Sequence, residues 1–291
     1  MRTGFDDLDS IINLSEPQLI LIPELIPRND YDCNIDYLFV NNILHNIGIE
    51  QNIPSAIFSF DVDDIKTRVC NLTLEMDWSL VKATYVLEEC FEKDVIKKYR
   101  KGNKVQIPLN DYIDDEEKDY GVISEYVLSE RKIKKFENEK YNLDNSNLYI
   151  EEIEDVLNFT FDNFKERCIN QKKEKDIRII GIVECIDLTQ DNYSLTIKKL
   201  ADLARELDII FIVELSEKYD FINFKKNIKE YLEEFQKLIE YSDIVIIPKY
   251  SYTTHNECSD IELAISQKDK KEIRKCELKY DKNINKIINW K

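Results

Sequence analysis

The run Leu19-Ile20-Leu21-Ile22 decides the fold class, because a short and continuous apolar segment of this kind is typical of a strand buried on both faces. Four similar runs follow it along the chain: Ser55–Phe60, Ile177–Val183, Ile209–Val213 and Ile244–Ile247. Amphipathic stretches separate these runs, and the clearest places Leu200, Leu203, Ala204 and Leu207 on one helical face. The alternation of strands and helices predicts an α/β protein with a mainly parallel sheet flanked by helices.

The C-terminal part of the chain has a different pattern. Ile261–Ser266 and Lys275–Tyr280 alternate apolar and polar residues on either side of the charged turn Lys268–Lys271. Such alternation around a turn predicts an antiparallel β-hairpin that extends one edge of the sheet.

Residues 98–147 form the most highly charged region, with the acidic run Asp114–Glu117 and the mixed run Glu130–Lys135. We expect a solvated helical insertion at the surface. With 291 residues and no linker or repeat in the sequence, the chain is expected to form one domain over residues 1–291.

The composition limits the classes of partner. A formal net charge of −17 disfavours loose association with DNA, RNA or anionic lipid, although a small basic face remains compatible with it. The seven cysteines are dispersed without a C-x-x-C pair, which indicates reduced thiols in a cytosolic protein. The sequence has no signal-peptide pattern, and no apolar run reaches the ~20 residues of a membrane helix. We therefore expect a cytoplasmic protein without a membrane partner.

The segment after the first strand lacks the features of a phosphate-binding loop. Such a loop needs glycines, which allow backbone N–H groups to turn inward, and a lysine that meets the β- and γ-phosphates. The sequence has no glycine between Gly4 and Gly48 and no lysine before Lys66. Four carboxylates and one arginine lie between Glu24 and Asp36. A triphosphate is expected to be repelled from this segment.

Several blocks resemble, in the same order, the C-terminal RecA-like motor domain of DnaB-type replicative helicases. Thr3–Asp9 is similar to the entry motif T-G-F-x-x-L-D, and Ala56–Val62 is similar to A-I-F-S-L-E-M. Further similar blocks are Glu16–Ile22, Val40–Ile43, Leu148–Glu151, Leu200–Leu207 and Ile239–Ile246. The resemblance covers almost the whole chain except residues 74–147, and it implies a RecA-like sheet with the predicted hairpin at its edge.

The catalytic residues that the resemblance implies are altered in this sequence. The loop that should carry G-K-T includes Pro27, Arg28, Asn29, Asp30 and Asp32, so we expect no nucleotide binding there. The water-positioning glutamate corresponds to Asp61, which is shorter by one methylene, and the magnesium-side aspartate corresponds to Glu184. The sensor pair S-Q corresponds to Ser216-Glu217.

The basic finger K-x-R, which acts on a neighbouring subunit, corresponds to Gln267 and Asp269, and Lys268 or Lys270 replaces it only if the register shifts. The N-terminal collar and linker helix of the family have no counterpart in the sequence, so any ring is expected to assemble without them.

Other candidate site residues have two interpretations each. Asp61 and Glu184 end neighbouring strands, where they either hold a divalent cation or persist as strand-end polar residues; we predict no metal site. His45 and His255 are far apart in sequence and are predicted to be structural or surface residues.

The sequence therefore favours a non-catalytic, pseudo-ATPase relative of the DnaB motor domain. We expect it to need no cofactor and to act by binding a protein partner or another copy of itself, in a role that the resemblance connects with DNA replication. The alternative is an ATP- and magnesium-dependent DNA helicase or translocase with an atypical nucleotide site. A third interpretation is a RecA-like fold that binds a different small ligand at the same strand edge.

Overall fold

The computed structural model describes residues 1–23, 35–59, 65, 69, 72, 105–107, 124–126, 145–153, 160–183, 193–215, 240–251, 258–270, 272–281 and 286–290. Among the described residues, the helices with defined bounds are α1 (Asp6–Asp9), α2 (Ile35–His45), α3 (Phe161–Lys175) and α4 (Tyr193–Leu207), and a π-helical turn, Asn46–Glu50, follows α2 directly.

The strands of the described residues were largely predicted. They are β1 (Gln18–Pro23), β2 (Ser55–Ser59), β3 (Val105–Ile107), β4 (Ser124–Tyr126), β5 (Leu148–Glu152), β6 (Ile179–Ile182), β7 (Ile210–Leu215), β8 (Ile244–Ser251), β9 (Cys258–Gln267), β10 (Arg274–Asp281) and β11 (Lys286–Asn289). Each of the five apolar runs in the sequence coincides with a strand, and the predicted hairpin is the pair β9–β10.

Nine of these strands form one mixed sheet in the order β11-β10-β9-β8-β1-β7-β6-β2-β5. Strands β5, β2, β6, β7, β1 and β8 pair in parallel, and β9, β10 and β11 continue the sheet as antiparallel neighbours. The predicted architecture, a mainly parallel sheet with flanking helices and a C-terminal antiparallel hairpin, is confirmed.

The two faces of the sheet carry separate apolar clusters because side chains alternate along each strand. One face buries Ile20, Ile57 and Ile212 with α2, and the other buries Leu21, Phe58 and Phe211 with α3 and α4. On the second face, Phe164 of α3 lies 5.1 Å from Phe58 and 5.9 Å from Phe211, measured between ring centroids. The Phe58–Phe164 pair is edge-to-face, which adds to the stabilisation from burial of the rings.

The part of α2 from residue 39 to residue 45 is enclosed on all sides, since these residues are all buried. It packs on β6 and β7 and also contacts β11, although β7 and β11 are five positions apart in the sheet. The antiparallel extension must therefore curl over α2. At the centre of the packing, a Cβ on Gly181 of β6 would lie 2.2 Å from Leu44 Cδ1 of α2, so any larger residue would require Leu44 to move.

One expectation about residues 98–147 is wrong where the structure describes them. The six residues of β3 and β4 pair as antiparallel strands, and helix was predicted there from charge alone. Val105, Ile107 and Tyr126 belong to the β-branched and aromatic types that favour strands. Most of this region lies outside the described residues.

Candidate functional site

The carboxyl edge of the parallel strands is the natural place for a ligand in this architecture, because open α/β sheets bind ligands beyond the carboxyl ends of their strands. Strand β1 lies at the centre, between β8 and β7, and its last residue is Pro23. The chain is described again from Ile35, where α2 starts at this edge before running back along the sheet. Pro23 and Ile35 thus mark the two ends of the connection that the resemblance to the DnaB motor domain equates with a phosphate-binding loop.

Two polar residues of the strands are buried at this edge, on the face that carries α2. Ser59 is the last residue of β2, and Glu214 precedes the last residue of β7, in register with Ile22 of β1. Glu214 is only 1% exposed. A carboxyl group removed from water to this extent is stabilised either by hydrogen bonds and an opposite charge or by remaining protonated.

Sequence reasoning missed Glu214 as a candidate. The signal was present, since an acidic residue interrupts the apolar run Ile209–Leu215. A charged residue inside a strand that is covered on both faces is unusual enough to mark a position for attention.

Helix α2 adds three further buried polar residues, Asn41, Asn42 and His45. Within the described part of the chain, neither amide atom of Asn41 has a hydrogen-bond partner, although the residue is fully buried. His45, predicted to be structural or at the surface, is a buried residue at the end of α2. His255 lies outside the described residues.

The predicted vestigial residues follow the strands of this edge. Asp61 comes two residues after the end of β2, and Glu184 comes two residues after the end of β6, which is the neighbour of β2 in the sheet. Both lie outside the described residues, as do the loop positions Pro27, Arg28, Asn29, Asp30 and Asp32 and the pair Ser216-Glu217. Among the residues that are described, no group of three or more His, Cys, Asp or Glu side chains is arranged to hold a metal ion.

The predicted finger positions lie at the opposite, amino edge of the sheet. Gln267 ends β9 in register with Ile244, the first residue of β8. Its Nε2 donates to the carbonyl oxygen of Ile11 at 3.3 Å, so this side chain is held within its own protomer. Asp269 is exposed at the tip of the turn between Lys268 and Lys270. The turn thus exposes an aspartate to solvent, and the correspondence of these positions to the family's basic finger stays a prediction.

A cavity of about 420 Å³ also opens at the amino edge. It is lined by residues of the turns that lead from helices into strands, among them Asn52, Asp176, Arg178 and Asp208. Asn52, Asp176 and Asp208 have φ values of 54°, 50° and 51°. Asn and Asp tolerate this left-handed conformation where helices end, so the turns of the fold account for these residues.

Cys168 and Cys276 are buried free cysteines. Burial, with a smaller effect of Asp7 and then Glu277, raises the pKa of the Cys276 thiol to about 12. Burial, followed by the nearby Glu151 carboxylate, raises the pKa of the Cys168 thiol even further. Because the thiolate is the nucleophile and the metal ligand, both side chains are chemically inert in the folded protein.

Comparison with solved structures identifies the type of fold. A KaiC-like protein from the hyperthermophilic archaeon Pyrococcus horikoshii OT3 superposes with a TM-score of 0.53, and the match covers 100% of this chain and 98% of that one. The fold is RecA-like. The two sequences are 11% identical, so the likeness concerns the fold alone. No protein-family model and no curated protein matches the chain.

The helices give no indication of a membrane span. Within the described ranges, none is both long enough and apolar enough to cross a bilayer.

Proposed function

We propose that this chain is a non-catalytic protein on a RecA-like fold that acts by protein–protein interaction, either with further copies of itself or with a partner that carries an active motor. The resemblance to the DnaB motor domain connects this role with DNA replication. The proposal includes a cytoplasmic location and requires neither a cofactor nor a metal ion.

The observation that carries the proposal is the composition of the connection between β1 and α2. By the resemblance to the DnaB motor domain, these two elements correspond to those that frame a phosphate-binding loop, and they meet at the carboxyl edge of the sheet. Residues 24–34 between them contain no glycine and no lysine. A polyphosphate requires a row of inward-facing backbone N–H groups and a cation at this position. The segment has neither the glycines that let backbone N–H groups face inward nor the lysine that supplies the cation.

Electrostatics supports the same conclusion. Four carboxylates and one arginine lie between Glu24 and Asp36, and the whole chain has a net charge of −17. Two like charges 4 Å apart repel by about 4 kcal/mol at an effective dielectric constant near 20. An anionic ligand would have to overcome this repulsion without a matching cradle.

The residues at the tip of the β9–β10 hairpin also support the proposal that this chain does not assist catalysis in a neighbouring subunit. A basic side chain supplied by a neighbouring subunit contributes orders of magnitude to the rate of phosphoryl transfer. Here Gln267 is hydrogen-bonded to Ile11 of the same chain, and Asp269 places a negative charge at the tip of the turn. An aspartate at this position would oppose the developing charge on a transferred phosphoryl group.

A second candidate function is an ATP- and magnesium-dependent DNA helicase or translocase with an atypical nucleotide site. It is favoured by the acidic residues Asp61 and Glu184, which follow neighbouring strands, and by Glu214 in β7. Carboxylates at this edge would hold magnesium and position water. Under this alternative the main-chain amides and Arg28 would have to replace the missing lysine.

Two measurements on the full chain separate these functions. Light scattering across a range of concentrations should give a mass that is a multiple of the 34.6 kDa protomer, or a complex with the active motor protein when the two are mixed. DNA-stimulated ATP hydrolysis that disappears in Asp61→Ala would instead establish the second function. A strictly monomeric protein that also binds no motor partner would contradict the proposal.

A further inference from the structure

Residues 1–14, which we call the strap, lie between two parts of the molecule that are remote in sequence. On one side is the π-helical turn that follows α2, and on the other is the antiparallel extension formed by β9, β10 and β11. The strap belongs to the same apolar cluster as α2 and the extension. It is therefore placed to connect them.

Side-chain amides hold the strap to the π-helical turn. Asn46 Nδ2 donates to the carbonyl oxygen of Thr3 at 2.9 Å. Gln51 binds Arg2 twice, since its Nε2 donates to the backbone oxygen at 2.7 Å and its Oε1 accepts from the backbone N–H at 3.0 Å. The strap backbone is thus paired here much as a strand would be, but by side chains.

Side-chain amides also hold the strap to the extension. Asn289 of β11 accepts from the N–H of Asp6 at 2.9 Å and donates to the carbonyl oxygen of Gly4 at 3.4 Å. Gln267 of β9 donates to the carbonyl oxygen of Ile11 at 3.3 Å. Two strands of the extension are therefore attached to the same 14-residue segment that the π-helical turn binds.

The strap itself is stiffened by Asp9. Its carboxylate accepts from the N–H of Thr3 at 2.6 Å, from the Thr3 hydroxyl at 2.8 Å and from the N–H of Gly4 at 3.3 Å. Gly4 has a φ of 90°, and a Cβ there would lie 2.2 Å from Asn46 Nδ2, so the close contact requires glycine. These contacts explain the residue types Thr3, Gly4 and Asp9 of the motif Thr3–Asp9 by the structure of the strap, without a nucleotide.

An aromatic anchor completes the attachment. Phe5 of the strap is buried and stacks on Phe39 of α2, with ring centroids 5.7 Å apart. Leu8 is fully buried in the cluster that also contains Leu278 and Tyr280 of β10. The strap thus shares apolar contacts with α2 and the extension as well as hydrogen bonds with both sides.

We propose that the strap couples the antiparallel extension to α2 and its π-helical turn, so that these three parts open and close as one cooperative unit. A segment that is bonded on both sides loses both attachments when it opens, and units of this kind exchange their amide hydrogens together. The hairpin that carries Gln267 and Asp269 is then fixed relative to α2. This inference does not depend on the proposed binding function.

Hydrogen exchange of the full chain, followed by mass spectrometry, tests the coupling. Asn289→Ala removes two strap bonds at the β11 side and leaves the π-helical turn chemically unchanged. We expect exchange in residues 46–50 to rise about tenfold or more, together with exchange in β11, because two hydrogen bonds are lost. Lys275→Ala is the matched control, since it breaks the Lys275–Glu262 ion pair on β10 and β9 without touching the strap.

The reciprocal variant makes the test independent of one substitution. Asn46→Ala, or Gln51→Ala if the first does not fold, should accelerate exchange in β10 and β11. If each variant accelerates exchange only in residues 1–14 and in its own element, the extension and α2 open independently and the proposal is wrong. Acceleration at both sides in the Lys275→Ala control would also overturn it.

Discussion

The carboxylate of Asp243 accepts a hydrogen bond from the guanidinium of Arg205, with Oδ1 and Nη2 2.6 Å apart. The other carboxylate oxygen accepts from the backbone N–H of Leu19 at 2.9 Å. The backbone oxygen of Asp243 accepts from the N–H of Lys268 at 2.9 Å. One residue thus joins helix α4, the start of β1 and the turn of the hairpin.

Substitution of Asp243 should test the strength of this junction. Asp243→Ala leaves the N–H of Leu19 without its acceptor and breaks the pair with Arg205, so we expect the free energy of unfolding to fall by about 1–3 kcal/mol. Arg205→Ala should cost less, about 1 kcal/mol or below, because the arginine is half exposed and its pair is screened by water. Urea denaturation of both variants measures the difference. Equal losses would contradict this account of the junction.

Packing of α2 against β6 leads to a second prediction. Gly181→Ala would bring a methyl group to 2.2 Å from Leu44 Cδ1, and overpacking of a core usually costs about 1–3 kcal/mol. Leu44→Ala creates space at the same point, so the double variant should be more stable than the sum of the two single losses predicts. A double-mutant cycle in denaturant measures this coupling. Strict additivity would show that the two residues are not in close contact.

Replacement of Asn41 by an apolar residue is expected to stabilise the folded protein. Its amide is fully buried, and among the described residues it has no hydrogen-bond partner. An unsatisfied buried polar group costs about 1–3 kcal/mol, so Asn41→Leu, which is similar in size, should raise the free energy of unfolding by an amount of this order. The midpoint of urea denaturation should increase without a change in slope. A lower midpoint would mean that the amide does have a stabilising partner.

Because of the buried thiols, we expect the free energy of unfolding to depend on pH in the alkaline range. Folding raises the pKa of Cys276 from 9.0 to about 12, so the folded state favours the protonated thiol. This contribution to stability is complete below pH 9 and is lost as the pH rises from about 9 towards 12. Each such thiol should lower the free energy of unfolding by up to about 1.4 kcal/mol per pH unit within this window.

Unfolding curves between pH 8 and pH 11 measure this dependence. Cys276→Ala should show a shallower decline than the unmodified chain, because it lacks one of the two described buried thiols. A thiol reagent at pH 8 should label Cys276 only after denaturant is added. Rapid labelling of this residue in the folded protein would contradict its burial.

The sheet could be predicted from the sequence because its strands are specified locally. Local apolar patterns indicate both the type of element and the face that it buries, as in the run Leu19–Ile22 and the alternation in Lys275–Tyr280. Their order along the chain then leaves few possible topologies. Strand β11 was not predicted, since its four residues carry little pattern of their own and depend on pairing with β10.

The details of the candidate site were less predictable, because they arise from contacts between remote segments. Nothing near Gln267 in sequence indicates that its amide binds Ile11, and nothing near Asn289 indicates that it binds Gly4 and Asp6. Asn41 and Asn42 are buried in the folded protein, and no local sequence pattern indicates it. Glu214 was visible as an acidic residue in an apolar run, but its position beside Ile22 required the sheet register.

Calorimetric titration of the full chain with ATP and magnesium tests the central claim most directly, since a connection between β1 and α2 without glycine or lysine should not hold a triphosphate. We expect no heat of binding at micromolar concentrations of nucleotide, either in low salt or at physiological ionic strength. Saturable binding of magnesium-ATP with a micromolar dissociation constant, weakened by substitution of Arg28 or Asp61, would contradict the account.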